Sequence, residues 1–303
     1  MVYHRPVLLQ ECIDGLNIKS EGVYVDATFG GGGHSRLIMS KLGDGRLFAF
    51  DQDRDTTIND LKQARFKLIN ANFRYLSNFL RMEGVEKIDG LLADLGVSSH
   101  QLDIPERGFS TRFAGKLDMR MNSSTDLSAI EVINNYSEDR LSSILFRYGD
   151  LHNSRRISRK IIKARSITPI KTTTELIAVI KEIAHEKHRN QFLARVFQAI
   201  RIEVNDEMAA LEEMLLSAIE MLNPEGRLVV LSYHSLEDRL VKNLMKKGSF
   251  DGTVRKDFFG NQIKSLKEIN KKVIVASKKE IKANSRARSA KLRVAEKINE
   301  NEN

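Results

Sequence analysis

The 303-residue chain reads as an α/β protein, a parallel sheet with helices on both faces, interrupted by a block of helices. Three observations predict this. Short apolar runs alternate with helical patterns through the first 106 residues, which argues for a parallel sheet. Between about 107 and 205 helical patterns continue with no convincing strand among them. An apolar strand pattern then resumes over 227–233. Residues 1–106 and 206–303 are thus expected to form one domain, and 107–205 an inserted helical one.

Taken in order, Val23, Tyr24 and Val25 form a buried strand that ends at Asp26. The loop Ala27-Thr28-Phe29-Gly30-Gly31-Gly32-Gly33 follows, then a helix over 34–42 closed by Gly43 and Gly45. A second strand over 47–50 ends at Asp51, and 56–64 has helical spacing. The third strand is 66–69, and the fourth is 88–93, ending at Asp94. In the middle block 128–134, 137–148, 155–163, 173–185 and 190–204 read as helices. One more helix over 206–222 carries Met208, Leu211, Met214, Leu215, Ile219 and Leu222 on its apolar stripe. Asn223-Pro224-Glu225-Gly226 is a turn. From about 279 the chain is polar and basic and reads as a tail with a mobile end.

Composition excludes several classes. A 41% hydrophobic and 29% charged chain fits a globular protein rather than a disordered one. A single cysteine, Cys12, excludes a disulfide framework and any cysteine-cluster zinc or iron–sulfur centre, and no metal site is expected. No apolar run approaches the roughly 18 residues that span a bilayer, and the first residues lack a secretory apolar region. A cytoplasmic protein without membrane contact is expected.

The net charge of +9 is segregated. Residues 1–106 are net −3 and 206–241 net −6, whereas 107–205 are net +8 and 242–303 net +10. The densest stretch, 155–165, holds six cations and no acid, with Arg155, Arg159 and Lys163 on one helical face. Arg286, Arg288, Lys291 and Arg293 form a second basic segment. Either could be a plain solvated face; two together favour nucleic acid as partner. Neither has the long apolar face of a membrane helix.

Strand, acid, glycines and helix in succession mark a nucleotide-type site, since glycines let backbone approach a ligand closely. The dinucleotide fingerprint G-x-G-x-x-G fails, because Ser35 or Arg36 stands at its third glycine. No P-loop lysine follows. Asp26 would repel a pyrophosphate but suits a cationic ligand such as S-adenosylmethionine. Asp51, 25 residues on, is placed to accept ribose hydroxyls. Asp94 makes a third acid at a strand end. His34 could serve through its backbone amide alone. His234, Ser235, Glu237 and Asp238 could line the same rim, through phosphate or sugar contacts or plain loop capping; no G-x-S-x-G elbow supports a hydrolase.

With these residues in view, the chain resembles the MraW/RsmH family of methyltransferases along nearly its whole length. The resemblance is carried by His4-Arg5-Pro6-Val7-Leu8-Leu9, by the segment from Asp26 to Ser35, by Phe50-Asp51-Gln52-Asp53 and by Asp94-Leu95-Gly96-Val97-Ser98-Ser99-His100-Gln101-Leu102-Asp103. It continues through Arg107-Gly108-Phe109-Ser110, Leu117-Asp118-Met119-Arg120-Met121, Phe197-Gln198-Ala199-Ile200-Arg201, His234-Ser235-Leu236-Glu237-Asp238-Arg239 and Ser285-Arg286-Ala287-Arg288-Ser289. Each motif is modest alone; the ordered set is specific.

The resemblance implies a Rossmann-like class I methyltransferase sheet with an inserted all-helical domain for substrate recognition. It implies S-adenosylmethionine as cofactor, held by Gly32, Gly33 and His34 of the loop and by Asp51 at the ribose. Phe73, Asp94 and Gln101 match the remaining cofactor positions, with Phe73 near the adenine or else core filler. The implied reaction is methylation of the N4 amine of a cytidine in the decoding region of 16S ribosomal RNA, on the assembled small subunit. Ser285, Lys291 and a short 245–280 segment depart from relatives, which bears on RNA contacts only.

Asp94 is the candidate catalytic acceptor for the amine, with a purely cofactor-orienting role equally open. The aromatic residue of the Asp/Asn-Pro-Pro-Tyr run of other amino-methyltransferases is missing after it. DNA or a protein side chain as substrate, a non-catalytic RNA-binding or assembly protein, and a nicotinamide oxidoreductase, which the broken glycine fingerprint disfavours, are the rival readings. A homodimer is left open.

Overall fold

The computed structural model describes residues 6–299. His4, Arg5 and the expected mobile end at 300–303 lie outside them. The chain forms two compact units, Met1–Gly96 with Ala209–Asn303, and Val97–Met208.

The first unit is built on one sheet. Its strands are β1 (Val23–Asp26), β2 (Arg46–Phe50), β3 (Phe66–Ile69), β4 (Ile88–Asp94), β5 (Leu222–Ser232), β6 (Leu266–Glu268) and β7 (Lys291–Lys297), in the order β3-β2-β1-β4-β5-β7-β6. The first five are parallel, and β7 runs antiparallel between β5 and β6. Leu91, Leu92 and Ala93 of β4 are fully buried, as expected of a central parallel strand covered on both faces. Helices α1 (Leu9–Leu16), α2 (Gly33–Lys41) and α3 (Leu76–Met82) belong to this unit. Cys12, Ile13 and Leu16 of α1 pack into a core with Ile38, Leu47, Leu92, Val229 and Val294.

The second unit is helical: α4 (Ser99–Asp103), α5 (Ala129–Asn135), α6 (Glu138–Gly149), α7 (Ser154–Arg165), α8 (Thr173–Ile180) and α9 (Arg189–Asn205). Its core includes Leu117, Ile133, Leu141, Ile157, Ile161, Val196 and Ile200. The starts of its helices are written in the sequence. Ser128 with Glu131 and Thr172 with Glu175 make capping boxes, and Ser137 accepts from the Arg140 N–H at 3.2 Å. Val97 and Leu102 pack against this core, so the unit begins at Val97, ten residues before the change of pattern in the sequence.

The chain then continues through α10 (Glu207–Met221), α11 (Ser235–Lys247) and α12 (Lys278–Ala283). Four stretches differ from the sequence reading. The expected helix over 56–64 is a 3-10 turn over Arg54–Asn59 only. Asn59 turns its amide to the Gly30 carbonyl at 3.1 Å, and Lys62 adopts φ 51°, which a helix does not tolerate. The helix from 173 stops at Ile180, because the chain becomes extended at Ala184 and His185 caps a separate short turn. The turn at Asn223–Gly226 lies inside β5: Ile88 pairs with Leu222 and Gly90 with Arg227, so the extra residues bulge, with Glu225 at φ 65°. The expected tail is largely ordered structure, since α12 and β7 follow 277 and β7 sits inside the sheet. Its alternation of buried Leu292 and Val294 with Lys291 and Arg293 is a strand signal that the basic charge masks.

Candidate cofactor and active site

Strands β2, β1 and β4 are neighbours, and each ends in a carboxylate. Asp51 follows β2, Asp26 closes β1 and Asp94 closes β4. The winding of the sheet reverses between β1 and β4, where the crevice of an open α/β sheet forms. All three acids are therefore carried to its rim.

Asp26 is buried and accepts from the Ser35 hydroxyl at 2.6 Å and the Thr28 N–H at 3.1 Å. Burial pushes its carboxyl up, opposed by the His34 ring and these hydrogen bonds. It thus ties the strand end to the first turn of α2. Gly32, just before α2, has φ 72°, a left-handed conformation natural to glycine. Its N–H donates to the Phe29 carbonyl at 2.7 Å, which closes the loop. Gly33 is small for a different reason: a Cβ there would stand 2.1 Å from Cγ of Pro6. Pro6 and the glycine loop are thus one packed unit.

The Asp51 carboxylate accepts from the Gly30 N–H and the Asp53 N–H, both at 2.9 Å. Burial nevertheless pushes it up to about 7. Asp94 has three neighbours from three elements. Its Oδ1 accepts from the Tyr233 hydroxyl at 2.8 Å, its Oδ2 lies 3.8 Å from Nδ1 of His34, and its N–H donates to the Thr28 hydroxyl at 2.6 Å. Burial pushes Asp94 up to about 6, opposed by His34 and Tyr233. His34 is itself buried, and its Nε2 has no hydrogen-bond partner among the described residues.

Phe73 opens a short turn capped by Asn72, whose side chain accepts from the Arg74 N–H at 3.0 Å. It is half-buried. Gln101 belongs to the second unit. It is buried and completes a capping box: its Oε1 accepts from the Ser98 N–H and its N–H donates to the Ser98 hydroxyl, both at 3.1 Å.

The rim residues of the late motif are accounted for locally. Glu237 accepts from the Tyr233 N–H at 2.9 Å and, with His234, forms the capping box of α11. Asp238 pairs with Arg293 at 2.8 Å and Lys291 at 3.0 Å, which holds its carboxyl below the usual range against the pull of burial. These two cations of the expected basic tail therefore brace α11 against β7. In the second unit Arg165 likewise donates to the Ile133 and Tyr136 carbonyls, both at 2.6 Å, while Arg155, Arg156 and Lys163 are exposed.

Sequence reasoning missed Tyr233, which directly follows β5, 139 residues beyond Asp94. The only signal was its place beside the His234 motif. Tyr233 supplies an aromatic hydroxyl at the very acid after which the local sequence lacks one.

Three desolvated carboxylates, a glycine cradle and an unpartnered buried imidazole nitrogen fit a ligand that brings positive charge and hydroxyls. A cationic ligand favours their ionised forms. Two consequences follow from the sign of the shifts. Binding such a ligand below about pH 7 releases protons, so its affinity rises from pH 5.5 to 8; calorimetry in buffers of different ionisation enthalpy checks this. Without ligand the folded state binds more protons than the unfolded one between about pH 4 and 7. These acids therefore erode stability as pH rises through that window.

An open sheet in this order, with an antiparallel seventh strand, a glycine loop after β1 and an acid after β2, defines a Rossmann-like class I methyltransferase. The profile of the MraW methylase family matches residues 1–298. The Ribosomal RNA small subunit methyltransferase H of Flavobacterium johnsoniae is 56% identical over 98% of this chain and 99% of its own. Proteins of the same name from Phocaeicola vulgatus and Bacteroides thetaiotaomicron are 54% and 53% identical, each over 98% of both chains. Among solved structures, an rRNA methylase from Streptococcus thermophilus aligns over 99% of both chains at 12% identity, with a TM-score of 0.43. The chain belongs to the MraW methylase family. The methyl donor of this family is S-adenosylmethionine.

Proposed function

We propose that this protein methylates the N4 amine of a cytidine in the decoding region of 16S ribosomal RNA, within the small ribosomal subunit and in the cytoplasm. Family membership and the names of relatives above 50% identity support ribosomal RNA of the small subunit as substrate. The observation that carries the amine is Asp94, an acceptor at the crevice whose charge and direction are set by Tyr233 and His34.

S-adenosylmethionine supplies an electrophilic methyl on a sulfonium. Asp51 is assigned to the ribose hydroxyls, Asp26 and the loop at Gly32, Gly33 and His34 to the charged end, and Phe73 to the adenine. Asp94 does the work at the amine. The lone pair of a cytosine amine is delocalised into its ring; an N–H donated to a carboxylate restores density at nitrogen. The amine proton lost on methylation has the same carboxylate within reach. Tyr233 and His34 hold Asp94 in one orientation and favour its ionised form. Removing the phenol by Tyr233→Phe is expected to move the acid limb of the kcat–pH profile upward by roughly one unit, because a hydrogen bond to the ionised carboxylate is lost. An unmoved limb would leave Tyr233 a packing role.

The target base must leave its stack to reach the crevice. The exposed cations of α7 are assigned to phosphate contacts. RNA affinity should accordingly fall steeply between 50 and 200 mM salt, roughly tenfold or more for a handful of contacts; a flat salt dependence would remove α7 from the interface.

The deciding experiment is methyl transfer from labelled S-adenosylmethionine to small subunits that carry unmodified 16S RNA, read by mass spectrometry of digested nucleosides. Label in N4-methylcytidine or its 2′-O-methylated form establishes the reaction. Label in another nucleoside, or none with cofactor still bound, refutes the substrate.

A further inference from the structure

The two most exposed large apolar side chains among the described residues are aromatic and adjacent. Phe258 is 97% and Phe259 84% exposed. Single apolar side chains in water are ordinary, but two adjacent exposed rings form a patch that points to an interaction.

The segment that carries them is pinned. Lys256 bridges Gln262 in antiparallel fashion, and the Ile263 N–H donates to the Arg255 carbonyl at 2.9 Å, so the chain makes a narrow hairpin. At its tip the Asp257 carboxylate accepts from the N–H groups of Phe259 at 2.9 Å and Asn261 at 2.8 Å. Gly260 adopts φ 88° to close the turn. The base is tied to the end of α11: Gln262 Nε2 donates to the Lys246 carbonyl at 2.9 Å and Lys247 Nζ to the Gly252 carbonyl at 2.8 Å. The two rings stand edge to face, 88° apart with centroids 5.5 Å apart, and so present separate faces.

The surroundings are cationic. Residues 242–267 hold Lys242, Lys246, Lys247, Arg255, Lys256, Lys264 and Lys267 against only Asp251 and Asp257. Both acids are engaged in turn hydrogen bonds, which hold their carboxyls below the usual range. Rings flanked by cations match a single-stranded polyanion whose bases stack and whose phosphates pair.

We propose that the hairpin tip bearing Phe258 and Phe259 is a stacking platform for unpaired bases of the RNA substrate, with Arg255 and Lys256 on the adjoining phosphates. This rests on the reading of the protein as an RNA methyltransferase. Hydrogen bonds pin the backbone of the turn, so stacking on it orders little of the main chain.

The test uses the full chain and a fluorescein-labelled single-stranded RNA of mixed sequence, with small subunits as a second ligand. Phe258→Ala/Phe259→Ala should weaken RNA binding about tenfold or more. Phe258→Tyr/Phe259→Tyr keeps the rings and should bind as wild type. S-adenosylmethionine affinity and melting temperature should be unchanged in both, since the tip is solvent-exposed. Equal RNA affinity of the alanine variant and wild type overturns the proposal. So does ring-dependent sedimentation with anionic phospholipid vesicles when RNA binding is unaffected, which would assign the tip to a membrane. Wild-type protein that binds neither RNA nor small subunits overturns the underlying reading, and the platform with it.

Discussion

Asp94→Asn is expected to lower kcat for methyl transfer by at least about 100-fold while the fold is kept. The substitution is nearly isosteric, and the amide oxygen can still accept from the Tyr233 hydroxyl, which lies 2.8 Å from Oδ1 in the native side chain. What disappears is the negative charge. An amide is a weaker acceptor for the substrate amine and takes no proton from it. The neighbourhood then has one buried acid fewer: Asp26 and Glu237 each raise the Asp94 carboxyl, so their own repulsion is relieved. The variant should be at least as thermally stable as wild type near pH 7, with activity lost. A kcat within a few-fold of wild type would confine Asp94 to orienting the cofactor; a raised dissociation constant for S-adenosylmethionine alone would say the same.

Asp51→Ala is expected to weaken S-adenosylmethionine binding about tenfold to a hundredfold, roughly 1.5–3 kcal/mol. The carboxylate accepts from the Gly30 and Asp53 N–H groups, so its loss removes two loop contacts as well as the proposed ribose acceptor. A control separates the two. Asp51→Asn keeps an acceptor for one backbone N–H and can still meet one hydroxyl, so its loss of affinity should be the smaller. The pH dependence of affinity near 7 should also vanish in both variants, because the group that burial pushes up to about 7 is gone. Unchanged affinity by calorimetry would take Asp51 out of the site.

Much of this site is local in sequence. The glycine loop, Asp26, His34 and Ser35 lie within ten residues, and the loop geometry that joins them is set by neighbours. Asp51 and Asp94 are legible too, because each ends an apolar run and parallel strands present their carboxyl ends to one side of a sheet. The pairing of Asp94 with Tyr233 is not legible. It depends on β5 lying beside β4, a neighbour relation that follows 127 intervening residues from Asp94 to Leu222 and no local pattern. The bulge in β5 is hidden for the same reason: a turn and a bulge share residues, and only the partner strand distinguishes them.

Charge was the less faithful guide. Arg155, Arg159 and Lys163 sit on one exposed face of α7, as their spacing requires. Arg165, Lys291 and Arg293 were counted in the same blocks, yet they satisfy carbonyls and Asp238 within the fold. A count of cations cannot distinguish a phosphate contact from a brace, because both need the same side chain.

By itself, then, the order of residues determined the α/β class, the interrupting helices, their caps and the three strand-end acids. These follow from periodicity and short-range hydrogen bonding, which act over a few residues. The tertiary structure alone decided that the basic C-terminal segment enters the sheet as β7, that Tyr233 meets Asp94, and that Gly33 is small to admit Pro6. Those depend on which distant surfaces bury one another, a choice made by the packing of the whole core rather than by any window of the chain.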